Sequence, residues 1–413
     1  MDTFTTSRSL SSRPLNLDLD VAQRLTDLRA WLANWQREDH RWQQQIASLD
    51  PKRRSDVLLG SQISSLRREM SLQLAQEPIA LGPEEINRIG FTKLRQHLAR
   101  QYATLSLADR KLWLVNLSFV LTPTLQNLIA KLDAIRRYRS FGQTRCFLLG
   151  GVSGSGKTSC LNWYAFHHLP TVEPTRNHVP VIKIDAPVSN RSPKPLYLRM
   201  LMACGAATVR GDEEHYLQLL ELYFQRCGVE LLIVDEVEHI ILPSLRRRLL
   251  ELSNLTGVPI VCASCNPIAW TNGDAEIQGR WNDYFELTQF TGPRLDAFLS
   301  LLDLLLPFEE DSQLGLREIK DAQGRPTAAG PAHYVEQWTD GILREIMVLV
   351  MDACLKALET RQPCLSVDLL NQAWRDIKRA KVVNFLDHLR AQTFTESSQR
   401  DGGTHVREQN AIC

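Results

Sequence analysis

No stretch of the chain is apolar for long enough to cross a bilayer as a helix, so no membrane segment is expected. The first residues, Met1-Asp-Thr-Phe-Thr-Thr-Ser-Arg8, lack the basic-then-apolar order of a secretory signal. Cysteine does not come in a pairing pattern: the nine residues are odd in number and scattered, which suits a reducing cytoplasm better than a disulfide framework. One C-x-x-C, Cys262 to Cys265, has no second pair at zinc spacing and ends an apolar run, so core packing is the better reading. Excess charge is missing too. At a formal +1 the whole molecule casts no strong field on a polyanion, and any nucleic-acid contact must come from local basic patches, which several subunits could sum. What remains is an ordinary globular composition, 44% hydrophobic and 23% charged over 413 residues, with room for two or three domains.

One stretch organises the rest. Gly151-Val-Ser153-Gly154-Ser155-Gly156-Lys157-Thr158 matches the phosphate-loop pattern G-x-x-x-x-G-K-[ST] at every fixed position. An apolar run, Cys146-Phe-Leu-Leu149, supplies the strand before it, and a helix opens behind it at Ser159. The glycines let backbone N–H groups turn towards an anion at the positive end of that helix. ATP and Mg²⁺ are the expected ligands. Gly151, Ser153, Gly154, Ser155, Gly156, Lys157, Thr158 and Ser159 form the cradle, with Lys157 reaching the β- and γ-phosphates and Thr158 binding the metal.

Further apolar runs predict a doubly wound α/β layer of parallel strands: Val179–Ile184, Leu231–Val234 ending in Asp235-Glu236, Val258–Ser264 and Tyr284–Leu287. Asp235 is the candidate second magnesium ligand and Glu236 the candidate general base for the attacking water. After the fourth strand Ser264 and Asn266 compete to touch the γ-phosphate or the water, with Asn266 preferred; an Asn capping a turn is the plainer alternative. Arg280, just before the fifth strand, is a candidate arginine finger for a neighbouring subunit's nucleotide, and Arg344, at the start of an apolar helix, a candidate sensor of bound phosphates. Either could instead be a surface ion pair. Arg191 and Lys194, in a proline-spaced loop, are the candidate DNA-backbone contacts; Arg246-Arg-Arg248 reads as a solvated helix face.

The chain divides into an N-terminal helical extension (1–82), an α/β nucleotide-binding domain with a helical lead-in (83–291), a small helical lid without strands (292–392) and a disordered tail (393–413). Within the extension, Val21, Leu25, Leu28, Leu32, Trp35, Trp42, Ile46 and Leu49 recur at helical spacing. They, with Trp31, either pack on the protein's own core or dock a partner. The apolar segment Trp113–Leu128 is expected to pack on the nucleotide domain.

These features together resemble an AAA+ ATPase, and over about Trp113 to Ala373 the finer pattern is similar to the TniB/TnsC transposition regulators. The stretches that carry it are Val179–Pro187 with Pro195-Leu-Tyr-Leu-Arg-Met-Leu201, Leu231–His239 with Leu252–Val261, and Glu276-Ile-Gln-Gly-Arg-Trp281. The chain departs from the family's usual glycine-threonine pair with Ser264-Cys-Asn-Pro267, and from its Arg-Phe with Arg280-Trp281. The resemblance implies an ATP-dependent homo-oligomer, a ring or helical filament on double-stranded DNA. It also implies partnership with a DDE-type transposase and with a target-recognition protein of the TniQ/TnsD kind, sometimes linked to a CRISPR effector. Two rivals stand beside it. An initiator-clade AAA+ protein would want a basic recognition helix after Ala380, which is not evident, and a signalling scaffold ATPase would want long repeats, which are absent.

Overall fold

Apolar runs of four or five residues without polar alternation belong in parallel sheets covered on both faces. The computed structural model describes residues 90–115, 122–137, 146–168, 170–172, 177–188, 192–206, 210–240, 242–271, 275–281 and 283–379, with 21–23, 25–26 and 29–30. Three helices lead in: α1 (Phe91–Ala103), α2 (Leu107–Val115) and α3 (Pro123–Arg137). Strand β1 (Cys146–Gly150) runs through the phosphate loop into α4 (Lys157–Phe166). A small hairpin, β2 (Thr171–Val172) with β3 (Asn177–His178), precedes β4 (Val181–Asp185). Helices α5 (Lys194–Ala203) and α6 (Glu213–Cys227) cross to β5 (Leu231–Asp235), and α7 (Pro243–Thr256) crosses to β6 (Ile260–Ser264). Short helices α8 (Pro267–Thr271) and α9 (Ala275–Arg280) lead to β7 (Asp283–Glu286).

The large sheet has the order β4-β5-β6-β1-β7, and every pairing in it is parallel. Leaving β1, the chain passes over two strands to β4, walks back through β5 and β6, then hops over β1 to β7. That reversal opens a crevice at the carboxyl end of β1, where open α/β sheets bind ligands. Alternate residues of β1 feed two cores: Phe147 and Leu149 pack with α3 and α4, Leu148 with the α5–α7 side. Local signals set the helix ends. Asp212 Oδ1 accepts the His215 N–H at the start of α6, and Gly228, left-handed at φ 65°, stops it.

The lid comprises α10 (Gly292–Leu305), α11 (Pro331–Thr339), α12 (Leu343–Glu359) and α13 (Val367–Arg379). It also contains strands, contrary to the expectation of helices alone: β8 (Glu318–Lys320) and β9 (Pro326–Ala329) form an antiparallel hairpin. Its strands are almost wholly exposed, so no apolar alternation marks them. The turn is made instead by Asp321, whose Oδ1 accepts the N–H groups of Gln323 and Arg325.

A second correction concerns Trp113. It packs with the lid and not with the sheet: its indole N–H donates to Leu305 O at 2.7 Å, and α1 and α2 share the lid's core. Only the later part of that segment, Leu125 and Leu128 on α3, lies against the sheet. Periodicity identifies an apolar face but not which of two apolar surfaces receives it. Val21 and Leu25, the first positions of the amino-terminal stripe, are buried in this same lid core. The tryptophans Trp31, Trp35 and Trp42 and the tail from 393 lie outside the described residues.

Candidate nucleotide site

The phosphate loop turns through left-handed backbone, with Gly154 at φ 81° and Gly156 at φ 98°. At Gly154 a Cβ would come 3.0 Å from Cβ of Arg344 and from Cγ2 of Ile342, so the lid rests directly on the loop. Arg344 fixes that contact by donating its backbone N–H to Gly154 O at 3.0 Å. Lys157, only 7% exposed, is folded back onto its own loop: Nζ donates to Gly151 O at 2.6 Å and Val152 O at 3.0 Å. Ser155 Oγ is buried without a hydrogen-bond partner, while Ser153, Thr158 and Ser159 are exposed.

Asp235 ends β5 at 2% exposure. Its Oδ1 accepts the Glu236 N–H at 2.9 Å, and its Oδ2 accepts no hydrogen bond. The neighbour that sequence reasoning missed is Lys183, inside β4. Its Nζ lies 2.6 Å from Asp185 Oδ1 and 3.6 Å from Asp235 Oδ2, and Asp185 stands in register beside Asp235. A lysine within Val181-Ile-Lys-Ile-Asp185 was the available signal, because a cation in a covered strand needs a buried acid. Glu236 adopts left-handed backbone, φ 55°, a conformation that costs about 1–2 kcal/mol for a residue with a Cβ. Its carboxylate is largely exposed, 3.7 Å from His239 Nδ1.

At the end of β6, Ser264 is buried and its Oγ accepts the Asn266 N–H at 3.0 Å. Asn266 Oδ1 caps α8 by accepting the Ala269 N–H at 3.1 Å, the plainer of the two roles considered for it. The residue from this turn that touches the loop is Cys265: its Sγ accepts from Lys157 Nζ at 3.4 Å. Partial burial, with Glu238 nearby, pushes its thiol pKa up, although Lys157 pulls the other way. The C-x-x-C is therefore split, with Cys262 in the core as expected and Cys265 exposed at the site. Among the described residues no cluster of His, Cys, Asp or Glu is arranged to hold a metal by itself.

Arg280 ends α9, exposed, three residues before β7 begins with Asp283 opposite Phe147. It therefore stands at the amino-terminal end of the strands, the opposite end from its own phosphate loop, and its charge is felt by Cys146 at the start of β1. Arg246 is not part of a solvated face. It donates to the Ala269 and Trp270 carbonyls and lies over the Trp270 ring, while Arg248 pairs with Glu251 at 2.6 Å. Lys194 is exposed at the start of α5, its Nζ donating to Gly211 O at 3.3 Å. Arg191 lies outside the described residues.

Ser155 Oγ and Asp235 Oδ2 are buried and take part in no hydrogen bond, and Lys157 satisfies itself on loop carbonyls. That donor set fits a magnesium-bound polyphosphate. Together with the strand order and a lid seated on the loop, it makes an arrangement similar to that of AAA+ proteins. Residues 110–290 match the family model described as bacterial TniB protein. The chain is TniB-like over that span, which takes in α3 and every strand of the large sheet.

No curated protein matches the chain in sequence. Among solved structures, the Aeropyrum pernix ORC1 protein in complex with DNA is similar at 14% identity, covering 65% of this chain and 69% of that one, with a TM-score of 0.45. Cdc6p from Pyrobaculum aerophilum is similar at 14% identity over 64% and 70%, TM-score 0.45. The ADP form of the Aeropyrum pernix ORC2 protein gives 16% identity over 60% and 67%, TM-score 0.40. Likenesses this loose fix no detail of the site.

Proposed function

We propose that the protein is a Mg²⁺-dependent ATPase that assembles on duplex DNA with ATP and marks a target site for transposition. When bound, Mg²⁺-ATP supplies the electrophilic γ-phosphorus and an ion that neutralises phosphate charge. The chain does the rest. Loop N–H groups and Ser155 would cradle the phosphates, and Lys157, held now on the Gly151 and Val152 carbonyls, would reach the phosphate oxygens. Thr158 and Asp235 would hold the metal, and Glu236 would take the proton of the attacking water. Asn266 keeps its amide nitrogen for the γ-phosphate or that water, and Arg344 couples the lid to loop occupancy through Gly154.

The observation that carries the reading is Arg280, at the strand end remote from its own loop. An arginine so placed serves as a finger only for another subunit, which makes assembly and hydrolysis depend on each other. Weak, sequence-independent phosphate contacts, Lys194 and Arg191 among them, then add over the subunits, which a nearly neutral chain needs. By the TniB pattern, the assembled protein takes its site from a TniQ/TnsD-type protein and passes it to a DDE transposase, and hydrolysis releases the DNA.

Electron microscopy with duplex DNA, a slowly hydrolysed ATP analogue and Mg²⁺ tests this. Rings or filaments that require both DNA and nucleotide are expected. Discrete particles indifferent to DNA would refute it.

A further inference from the structure

Directly after β5 the chain closes a single 3₁₀ turn, Val237–His239, with the His239 N–H donating to Glu236 O at 3.0 Å. The turn is entered through the left-handed backbone of Glu236, φ 55°. Its effect is to fold His239 back over the residue that carries the base. His239 Nδ1 is buried, has no hydrogen-bond partner, and lies 3.7 Å from Glu236 Oε2. A buried ring nitrogen left without a partner is unfavourable unless something compensates. Strained backbone is retained where the surroundings hold it in place, often at functional sites.

We propose that His239 is a positioning residue for Glu236, on the reading that Glu236 is the general base. Nδ1–H donates to Oε2 when the pair tightens, as contacts at such sites commonly do once substrate is bound. That fixes the carboxylate rotamer and leaves Oε1 free to face the water. Without the imidazole, a largely exposed carboxylate samples several rotamers and the base is correctly placed for only part of the time. Val237, fully buried beside it, anchors the turn, so the histidine can be changed without removing core packing.

The test uses the full chain. Under conditions where wild type hydrolyses ATP, His239→Ala lowers kcat about tenfold while the Kd for Mg²⁺-ATP stays unchanged. His239→Asn, which keeps a side-chain N–H, recovers part of the loss. In the Glu236→Gln background, adding His239→Ala causes no further loss, because the group it positions is gone. A readout in the nucleotide-free protein stands beside these: the long-range ¹⁵N–¹H spectrum of the His239 ring, assigned by difference from His239→Asn, shows protonated Nδ1, and Glu236→Gln shifts that resonance. An unchanged kcat in His239→Ala, with turnover lost in Glu236→Gln, overturns the pairing alone. Full turnover in Glu236→Gln overturns the assignment of the base and the pairing with it. A tenfold loss from His239→Ala that persists in the Glu236→Gln background means a merely structural role and also overturns the proposal.

Discussion

Asp303 sits on α10 at 3% exposure, facing Asp311 and Arg95. Its Oδ2 accepts the Leu314 N–H at 3.2 Å, its Oδ1 accepts no N–H, and Arg95 donates to its backbone carbonyl at 3.3 Å. Burial first, and then the hydrogen bond and charge of Asp311, push its carboxyl pKa from the ordinary 3.8 up to about 7. The folded protein thus keeps a proton there that the unfolded chain has already shed. Stability is therefore full below pH ~4, falls as pH rises to about 7, and levels off above it. At ~1.4 kcal/mol per pH unit the loss across that interval is at most ~4 kcal/mol. Asp303→Asn removes the titration while its amide still bridges Leu314 and Asp311. Urea unfolding followed by tryptophan fluorescence from pH 5 to 8, wild type against variant, isolates the effect, because other titrations cancel in the difference. The variant should gain on wild type by ~2–3 kcal/mol from pH 5 to 7. A difference independent of pH would refute the assignment of a buried, protonated Asp303.

Gly341→Ala should destabilise the joint between sheet and lid: a Cβ there, at φ 68°, would lie 2.1 Å from Phe290 O. A loss of ~2 kcal/mol, seen as a lowered unfolding midpoint, is expected, and an unchanged midpoint would count against the packing described. Arg280→Ala should bind ATP normally yet hydrolyse it ~10³-fold more slowly. Mixed with the loop variant Lys157→Ala, also inactive alone, it should regain partial turnover, since one subunit then lends its arginine and the other its intact loop. No recovery on mixing would exclude a shared site. Lys194→Glu should weaken duplex binding at moderate salt and flatten the salt dependence by about one charge, measured by fluorescence anisotropy. Unchanged affinity would remove it from the interface.

The phosphate loop, the acids of β5 and the lid helices were legible because each is written in contiguous residues under local constraint. Left-handed turns need Gly154 and Gly156, and a covered strand needs the unbroken apolar run Leu231–Val234. The hairpin at Glu318–Ala329 was not legible, because its exposed strands carry no pattern and its turn is made by side-chain hydrogen bonds. Nor was the docking of Trp113 on α10, which depends on two faces from distant parts of the chain fitting each other.

Sequence by itself determined which groups the chain can bring to the proposed reaction: a glycine-rich loop with its lysine, and two adjacent carboxylates at the end of β5. Tertiary structure alone decided which other groups meet them. It brings Cys265 to Lys157 across 108 residues of chain, slides Lys183 between two acids, and sends Arg280 to the far end of the sheet. Local backbone preference is fixed by neighbours in the chain, whereas these meetings follow from strand order, which no single segment encodes.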